Sequence, residues 1–380
     1  MPTTRLLSLD EYPLAADFLH RYWAPNHIYT RDKALFDWTF HREGVSQPGA
    51  YSFAVAEHEG EVVGVLGGIP FRFNNRGQER PAFWLANWKL RDEFRRGTIG
   101  LQLLDHFYAP KDQVTISFGI NSTVARLYDA MRWRVIENIP RYFAVHPGRA
   151  EEFAHLLHLA NPAWPAAKGS TITNALLARP SQAVSTVTFV APDIEAWNKR
   201  SWTSLRLKLI GPVRDGAYLN WRYAQHPTFK YRFIQISADE SRAIGLLVWR
   251  LETIRQKVGN SLQDVARIGR IVEFLPTSRD NATDLISHLW TELEANGALG
   301  CDCYLYHGPF GQWLADAGLH RMDDHPDGNA VPSRFSPLDA DGGQIRSAVS
   351  LRAAPWPAYP FSADCTWYWT KSDSDQDRPN

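Results

Sequence analysis

The sequence predicts an α/β (α+β) chain of two successive domains, each a mixed, mostly antiparallel sheet flanked by helices. Three observations carry this. The 380 residues exceed one ordinary domain of about 100–200 residues. Within residues 1–147, helical patterns precede hairpins, which precede alternating strands and helices. The same element order then returns in the second half.

The elements follow in order. Tyr12 to Tyr22 has helical spacing, with Leu14, Phe18 and Tyr22 on one face, and Asp32 to Phe40 reads as a second helix. Ser52 to Glu57 alternates as a strand, turns at His58-Glu59-Gly60-Glu61 and returns as Val62 to Ile69. Arg72 to Glu79, with Asn74-Asn75-Arg76-Gly77, turns the chain into the strand Pro81 to Leu90. A loop and the helix Leu101 to Phe107 come next. Strand Val114 to Gly119, helix Ser122 to Met131 and a last strand Trp133 to Val145 complete the first domain. Residues 148–184 read as a linker, with a short helix from Glu152 to Ala160 and a Pro- and Gly-containing stretch after Asn161. The second domain, residues 185–346, opens with a strand Ser185 to Val190 and a helix from about Asp193. Residues 347–380 are Pro- and Trp-rich, and the Ser/Asp run from Lys371 to Asn380 is expected to be disordered.

The internal repeat aligns Leu35-Phe36-Asp37-Trp38-Thr39-Phe40 with Tyr218-Leu219-Asn220-Trp221-Arg222-Tyr223. The hairpin Ser52 to Gly68 is echoed by Tyr231 to Arg250, turning at Asp239-Glu240-Ser241. Strand Trp84 to Leu90 is echoed by Gly269 to Leu275, and helix Leu101 to Phe107 by Ala282 to Leu293. Asn121 and Tyr128 are spaced as His307 and Leu314 are, which sets Arg132 in the place of Gly318. Trp38 and Trp221 are expected in the core.

Chemistry concentrates between Trp84 and Leu104. A strand ends in a charged turn, and Arg95, Arg96, Gly97, Thr98, Ile99 and Gly100 lead into a helix. First-turn N–H groups have no intrahelical partner and favour anions, and glycine lets a phosphate approach the backbone. The loop reads as a pyrophosphate cradle; an ordinary strand–turn–helix would use the same glycines only to turn.

At these residues the chain resembles the GCN5-related N-acetyltransferase superfamily, whose strand feeds an Arg/Gln-x-x-Gly-x-Gly/Ala loop. Arg95 and Gly100 match, while Thr98 stands at the middle glycine and Gly97 comes one position early. Downstream, Asn121, Ala125, Leu127 and Tyr128 match the family's next helix, and Arg132-Trp133 replaces its usual Gly-Phe. The resemblance implies acetyl-CoA or another acyl-CoA as co-substrate and a small-molecule amine as acceptor. It implies that backbone N–H near Leu90 polarises the thioester, and that Arg95, Arg96, Gly97, Thr98, Ile99 and Gly100 hold the pyrophosphate. Asn121 would orient the pantetheine or a water, and Tyr128 would serve as general acid. For the base, Glu273 is a candidate by its place near a strand end, although it could instead pair with Arg270; His41 and Asp37 are others. The second half lacks the glycines, having Pro276 to Ala282 as its loop, and has Leu314 for Tyr128, so it is expected to have lost cofactor binding.

The tandem pattern is similar to that of bacterial polysaccharide-biosynthesis acyltransferases, which suggests an amino sugar or sugar nucleotide as acceptor. Two alternatives stay open: a FemABX-like aminoacyl transferase, and a non-catalytic acyl-CoA binder favoured by Thr98 and Arg132. Lys plus Arg and Asp plus Glu are 41 each, which argues against a nucleic-acid partner. Three cysteines make no disulfide framework, and Cys301, Cys303 and His307 make no closed metal set. No secretory signal and no run of membrane-spanning length is read, so the expected location is cytoplasmic. Oligomeric state is left open.

Overall fold

A computed structural model describes residues 2–43, 45–108, 113–179, 188–189, 193–237, 243–339, 343–350 and 366–377. In chain order the strands are Thr3–Ser8 (β1), Ala50–His58 (β2), Glu61–Asn75 (β3), Gln78–Leu90 (β4), Val114–Phe118 (β5), Arg134–Ile136 (β6), Arg141–Val145 (β7), Thr188–Phe189 (β8) and Ile210–Pro212 (β9). Arg232–Ser237 (β10), Gly245–Val258 (β11), Ser261–Leu275 (β12), Gly300–Tyr306 (β13), His320–Arg321 (β14), Arg334–Phe335 (β15), Leu338–Asp339 (β16), Ser347–Val349 (β17) and Trp369–Thr370 (β18) follow. The main helices are Tyr12–Tyr22 (α1), Lys33–Phe40 (α2), Ile99–Tyr108 (α3), Ser122–Ala130 (α4), Ala150–Ala160 (α5), Ala166–Ala175 (α6), Arg279–Ala295 (α7) and Gly308–Asp316 (α8).

Among the described residues two large sheets form, in the orders β1-β2-β3-β4-β5-β17-β6 (with β9 on β3) and β14-β7-β13-β12-β11-β10-β8 (with β18 on β13), and β15 pairs with β16 in a small third one. Each large sheet has one parallel pair, β4 with β5 and β12 with β13. The expected mixed, mostly antiparallel sheets flanked by helices are what the chain forms.

Local chemistry explains the starts and turns. Asp32 caps α2 by accepting from Leu35 N at 2.9 Å, and Asn121 caps α4 by accepting from Val124 N at 2.9 Å. Arg76 and Gly77 both have positive φ (49° and 93°), the backbone a two-residue hairpin turn needs between β3 and β4. α3 buries Ile99, Gly100, Leu103, Leu104 and Phe107, a helical stripe against the first sheet.

Three expectations need correction. The single strand Trp133 to Val145 is two strands, because Pro140 interrupts it, and they join different sheets. β7 pairs with β13, while β17 enters the first sheet between β5 and β6. The halves thus exchange a strand, and the expected boundaries at 147 and 346 cut across both sheets. Buried Arg141 holds β7 in place, donating to Asp302 at 3.1 Å and to the carbonyls of Val331 and Pro332. Second, the strand Gly269 to Leu275 begins much earlier, since β11 and β12 form a long hairpin turning at Gly259. The expected turn at Asp239-Glu240-Ser241, and most of the expected strand at 185–190, lie outside the described residues.

The third correction is the largest. Residues 371–377 are ordered and mostly buried: Ser372, Asp373 and Ser374 are fully enclosed, and Asp377 is 3% exposed. Composition suggested solvated charge, but arginines distant in sequence supply the counter-ions. Arg214 meets Asp373 at 2.7 Å and Arg250 meets Asp377 at 2.6 Å. The final residues 378–380 lie outside the described set.

Candidate functional site

The first sheet opens beside α3. β4 pairs with β5 from Ala82–Val114 to Leu85–Ser117 and no further, whereas β3 accompanies β4 to Leu90. Residues 86–90 therefore present an edge that β5 leaves unpaired. A bulge makes the two strands part: Val65 faces Lys89 and Gly67 faces Ala86, so Leu66 alone opposes Asn87 and Trp88. Asn87 has φ +56° and is buried, with Nδ2 3.3 Å from His27 Nε2. Both residues escaped the sequence reading. The adjacent Asn87-Trp88 after alternating residues was the one available signal.

The predicted loop sits at the mouth of this parting. Thr98 carries the first carbonyl of α3, accepting from Gln102 N at 2.9 Å. N–H groups of Ile99, Gly100 and Leu101 are thus the unpaired first turn. The two glycines differ. Around Gly97 nothing lies within 4 Å of a would-be Cβ, so that position faces open space. A Cβ on Gly100 would stand 3.3 Å from Trp88 and 3.4 Å from Leu90, so Gly100 lets α3 approach β4. Arg95 and Arg96 are exposed; Arg95 forms a surface ion pair with Asp92 at 2.7 Å.

Tyr128 is fully buried, lying flat on Trp133 (4.3 Å between centroids, 13° between planes) with Trp88 6.1 Å away. Its hydroxyl makes no well-formed hydrogen bond among the described residues, although the Ser117 side chain lies close enough to interact with it. Burial pushes its pKa well above the ordinary value. The strand and helices thus bring Leu90, residues 95–100 and Tyr128 around one parting. Asn121 heads the same helix, with its side-chain oxygen engaged as the α4 cap.

Glu273 lies elsewhere, in β12 of the second sheet, fully buried. Its Oε1 accepts from Tyr223 at 2.6 Å and meets Arg214 Nε at 2.6 Å, and its Oε2 accepts from Tyr368 at 2.7 Å. Burial pushes its carboxyl up, against the pull of Arg214. The expected alternative partner, Arg270, instead meets Glu252 and Asp302, each at 2.7 Å. Asp37 is engaged by Lys33 at 2.7 Å and Tyr51 at 2.5 Å. His41 Nδ1 is buried without a partner among the described residues.

The second sheet also parts. β12 and β13 pair only to Ile271–Cys303, with a bulge at Val272, while β12 continues to Leu275. Here the chain's own end occupies the gap. β18 pairs with Leu305 and Tyr306 of β13, Ser372 Oγ donates to Val272 O at 3.2 Å, and Phe274 N donates to the Tyr368 hydroxyl at 3.0 Å. Beyond it, Gln376 Nε2 reaches Phe118 O of β5 at 3.4 Å. The Trp-Tyr-Trp run at 367–369, directly before the Ser/Asp run, was the sequence signal for this seat.

Among the described residues no cluster of His, Cys, Asp or Glu could hold a metal ion, and no helix is long and apolar enough to cross a membrane.

No family model and no curated protein matches the chain. Solved structures do. A GCN5-related N-acetyltransferase from Anabaena variabilis superposes with TM-score 0.52 at 12% identity, covering 93% of this chain and 73% of that one. Saccharomyces cerevisiae N-myristoyltransferase with bound myristoyl-CoA gives 0.52 at 9%, covering 92% and 82%. A conserved protein of unknown function from Enterococcus faecalis, described as a probable N-acyltransferase, gives 0.50 at 11% and covers 80% of this chain. The match spans 64% of that protein's length. At such identities the likeness is one of architecture, and on that ground the chain has the fold of the GCN5-related N-acetyltransferases.

Proposed function

We propose that the chain is an N-acyltransferase that moves an acyl group from acetyl-CoA or another acyl-CoA to an amine. The observation that carries this is the unpaired edge of β4 beside the open N-terminus of α3. An extended pantetheine arm fits such an edge as an added strand. The first-turn N–H groups of α3, with Gly97 leaving room, suit a pyrophosphate, and Arg95 and Arg96 add charge at the rim. Acyl-CoA would supply an activated thioester, and backbone N–H between Asn87 and Leu90 would polarise its carbonyl. Tyr128, whose buried hydroxyl has only Ser117 near it, is the candidate proton donor to the departing sulfur. Asn121 acts by fixing the start of α4. Glu273, with both oxygens engaged and no solvent access, holds the C-terminal segment rather than taking the amine proton. The acceptor we favour is a small polar amine such as an amino sugar.

Calorimetry of coenzyme A with the wild type and Gly97→Trp tests the reading. Binding in about the micromolar range is expected for the wild type, and loss of it in the variant, whose indole would fill the pyrophosphate position. Equal affinity in the two proteins would move the cofactor site elsewhere. Thiol release in the presence of amino sugars then separates an enzyme from a protein that only binds.

A further inference from the structure

A cleft of about 300 Å³ opens between the second sheet and the returning C-terminal segment. Arg250 and Glu252 of β11 and Arg270 of β12 line it on one side, and Lys371 and Gln376 on the other. It lies beside the first-sheet parting: Gln376 bonds to Phe118 O at the end of β5, and Gly119 N donates to Arg346 O, next to the cleft residue Ile345. Its lining is polar, which does not suit an acyl chain.

Most charges in the cleft are matched. Arg250 meets Asp377 at 2.6 Å and Glu252 at 3.1 Å, and Arg270 meets Glu252 and Asp302 at 2.7 Å. Lys371 differs. Among the described residues its ammonium has no hydrogen bond and no carboxylate within ion-pair distance; it stands 5.0 Å from the Tyr304 ring centre. Buried Thr370 and Ser372 on either side fix the backbone that aims it. Burial and neighbouring Arg270 push its pKa down to about 7, against the opposing pull of Asp302, Glu252 and Asp377. Lys371 is half-buried with its ammonium open to the cleft, and Glu252, Asp302 and Asp377 attract it without reaching it, so a bound anion gains a direct partner there.

We infer that this cleft is the acceptor site and takes a small polar amine bearing a carboxylate or phosphate, with Lys371 as its counter-ion. Arg334, exposed at the rim, adds a second cation. The inference rests on the acyl-transfer reading and specifies its acceptor. The groups facing Lys371 are Arg250 and Glu252 from β11, Arg270 from β12, Asp302 and Tyr304 from β13, Arg334 and Asp339 from the β15–β16 pair, and Asp375 and Asp377 from its own segment. Since Lys371 holds an anion only when protonated, affinity weakens as pH rises through about 7.

Trace acetylation with acetic anhydride, read by peptide mass spectrometry, tests this on the full chain. The readout is label at Lys371 relative to exposed Lys257, which cancels reagent consumed by the probes. Muramic acid (carboxylate), glucosamine 6-phosphate (phosphate) and glucosamine (neither) are the probes, each at about 10 mM, above a millimolar affinity. At least about threefold protection by one anionic probe and none by glucosamine is expected, with protection by muramic acid fading from about pH 6.5 to 8.5. Unchanged labelling with both anionic probes, or equal protection by glucosamine, overturns the inference. Lys371→Met should abolish retention of the anionic probe by equilibrium dialysis and leave coenzyme A affinity unchanged. Failed protection with intact coenzyme A binding rejects the cleft alone; absent coenzyme A binding in the wild type rejects the reading beneath it.

Discussion

Trp38 stacks on Trp221, ring centres 5.1 Å apart and planes 25° from parallel, and Trp38 Nε1 donates to the Trp221 carbonyl at 3.1 Å. The helical segments that carry them therefore meet at one joint. The Arg42 guanidinium lies 4.6 Å over the Trp221 ring and adds a cation–π contact. Trp221→Ala is expected to cost about 3 kcal/mol in urea unfolding. A loss near zero would show that the joint contributes nothing to stability.

Asp373→Ala leaves Arg214 with Glu273 alone in a fully buried setting. About 3–5 kcal/mol of destabilisation is expected, together with earlier proteolysis after residue 366. Wild-type resistance to protease would mean that the ion pair does not anchor the segment.

Acid should loosen the same region. Burial alone would raise the Glu252 pKa, but Arg270 and Arg250 outweigh it and hold the group at about 2, below its usual 4.5. Arg250 likewise holds Asp377 well below the ordinary value. The unfolded chain therefore binds protons between pH 4.5 and about 2 that the native fold refuses, and this contribution is lost as pH falls through that window. Burial raises Glu273 and Asp373, which act in the opposite sense. Comparing wild type with Glu252→Gln isolates the term: the wild type should lose more stability on acidification, and parallel curves would remove Glu252 as its source.

Tyr128→Phe deletes a buried hydroxyl that makes no well-formed hydrogen bond among the described residues and has only a weak interaction with Ser117. Stability is expected to change by no more than about 1 kcal/mol, coenzyme A binding to persist, and acyl transfer to fall roughly a hundredfold. Full turnover in this variant would exclude Tyr128 from proton transfer.

Arg132 has φ +62°, a left-handed conformation that penalises a side chain, whereas Gly318, with φ +101° at the end of its own helix, has none. Arg132→Gly is expected to raise stability by about 0.5–1 kcal/mol, the strain relieved less the flexibility gained by the unfolded chain. A lower melting temperature would show that contacts of the Arg132 side chain outweigh the strain.

Much of this protein was legible residue by residue. Asp32 and Asn121 cap helices, Arg76-Gly77 turns a hairpin, Gly97 precedes a helix, and the spacing of Asn121 to Tyr128 recurs in His307 to Leu314. In the structure His307 accepts from Phe310 N at 3.1 Å as Asn121 does from Val124 N, and Leu314 is buried as Tyr128 is. Such features depend on backbone geometry over a few residues, which side-chain periodicity reports directly. Tertiary structure alone decided which strand joins which sheet, and that a Ser/Asp end would be buried. Arg141 selects Asp302 and Arg214 selects Asp373, across 161 and 159 residues of sequence. A charge looks solvated in sequence until the fold supplies its counter-ion, and no local pattern records where that counter-ion will come from.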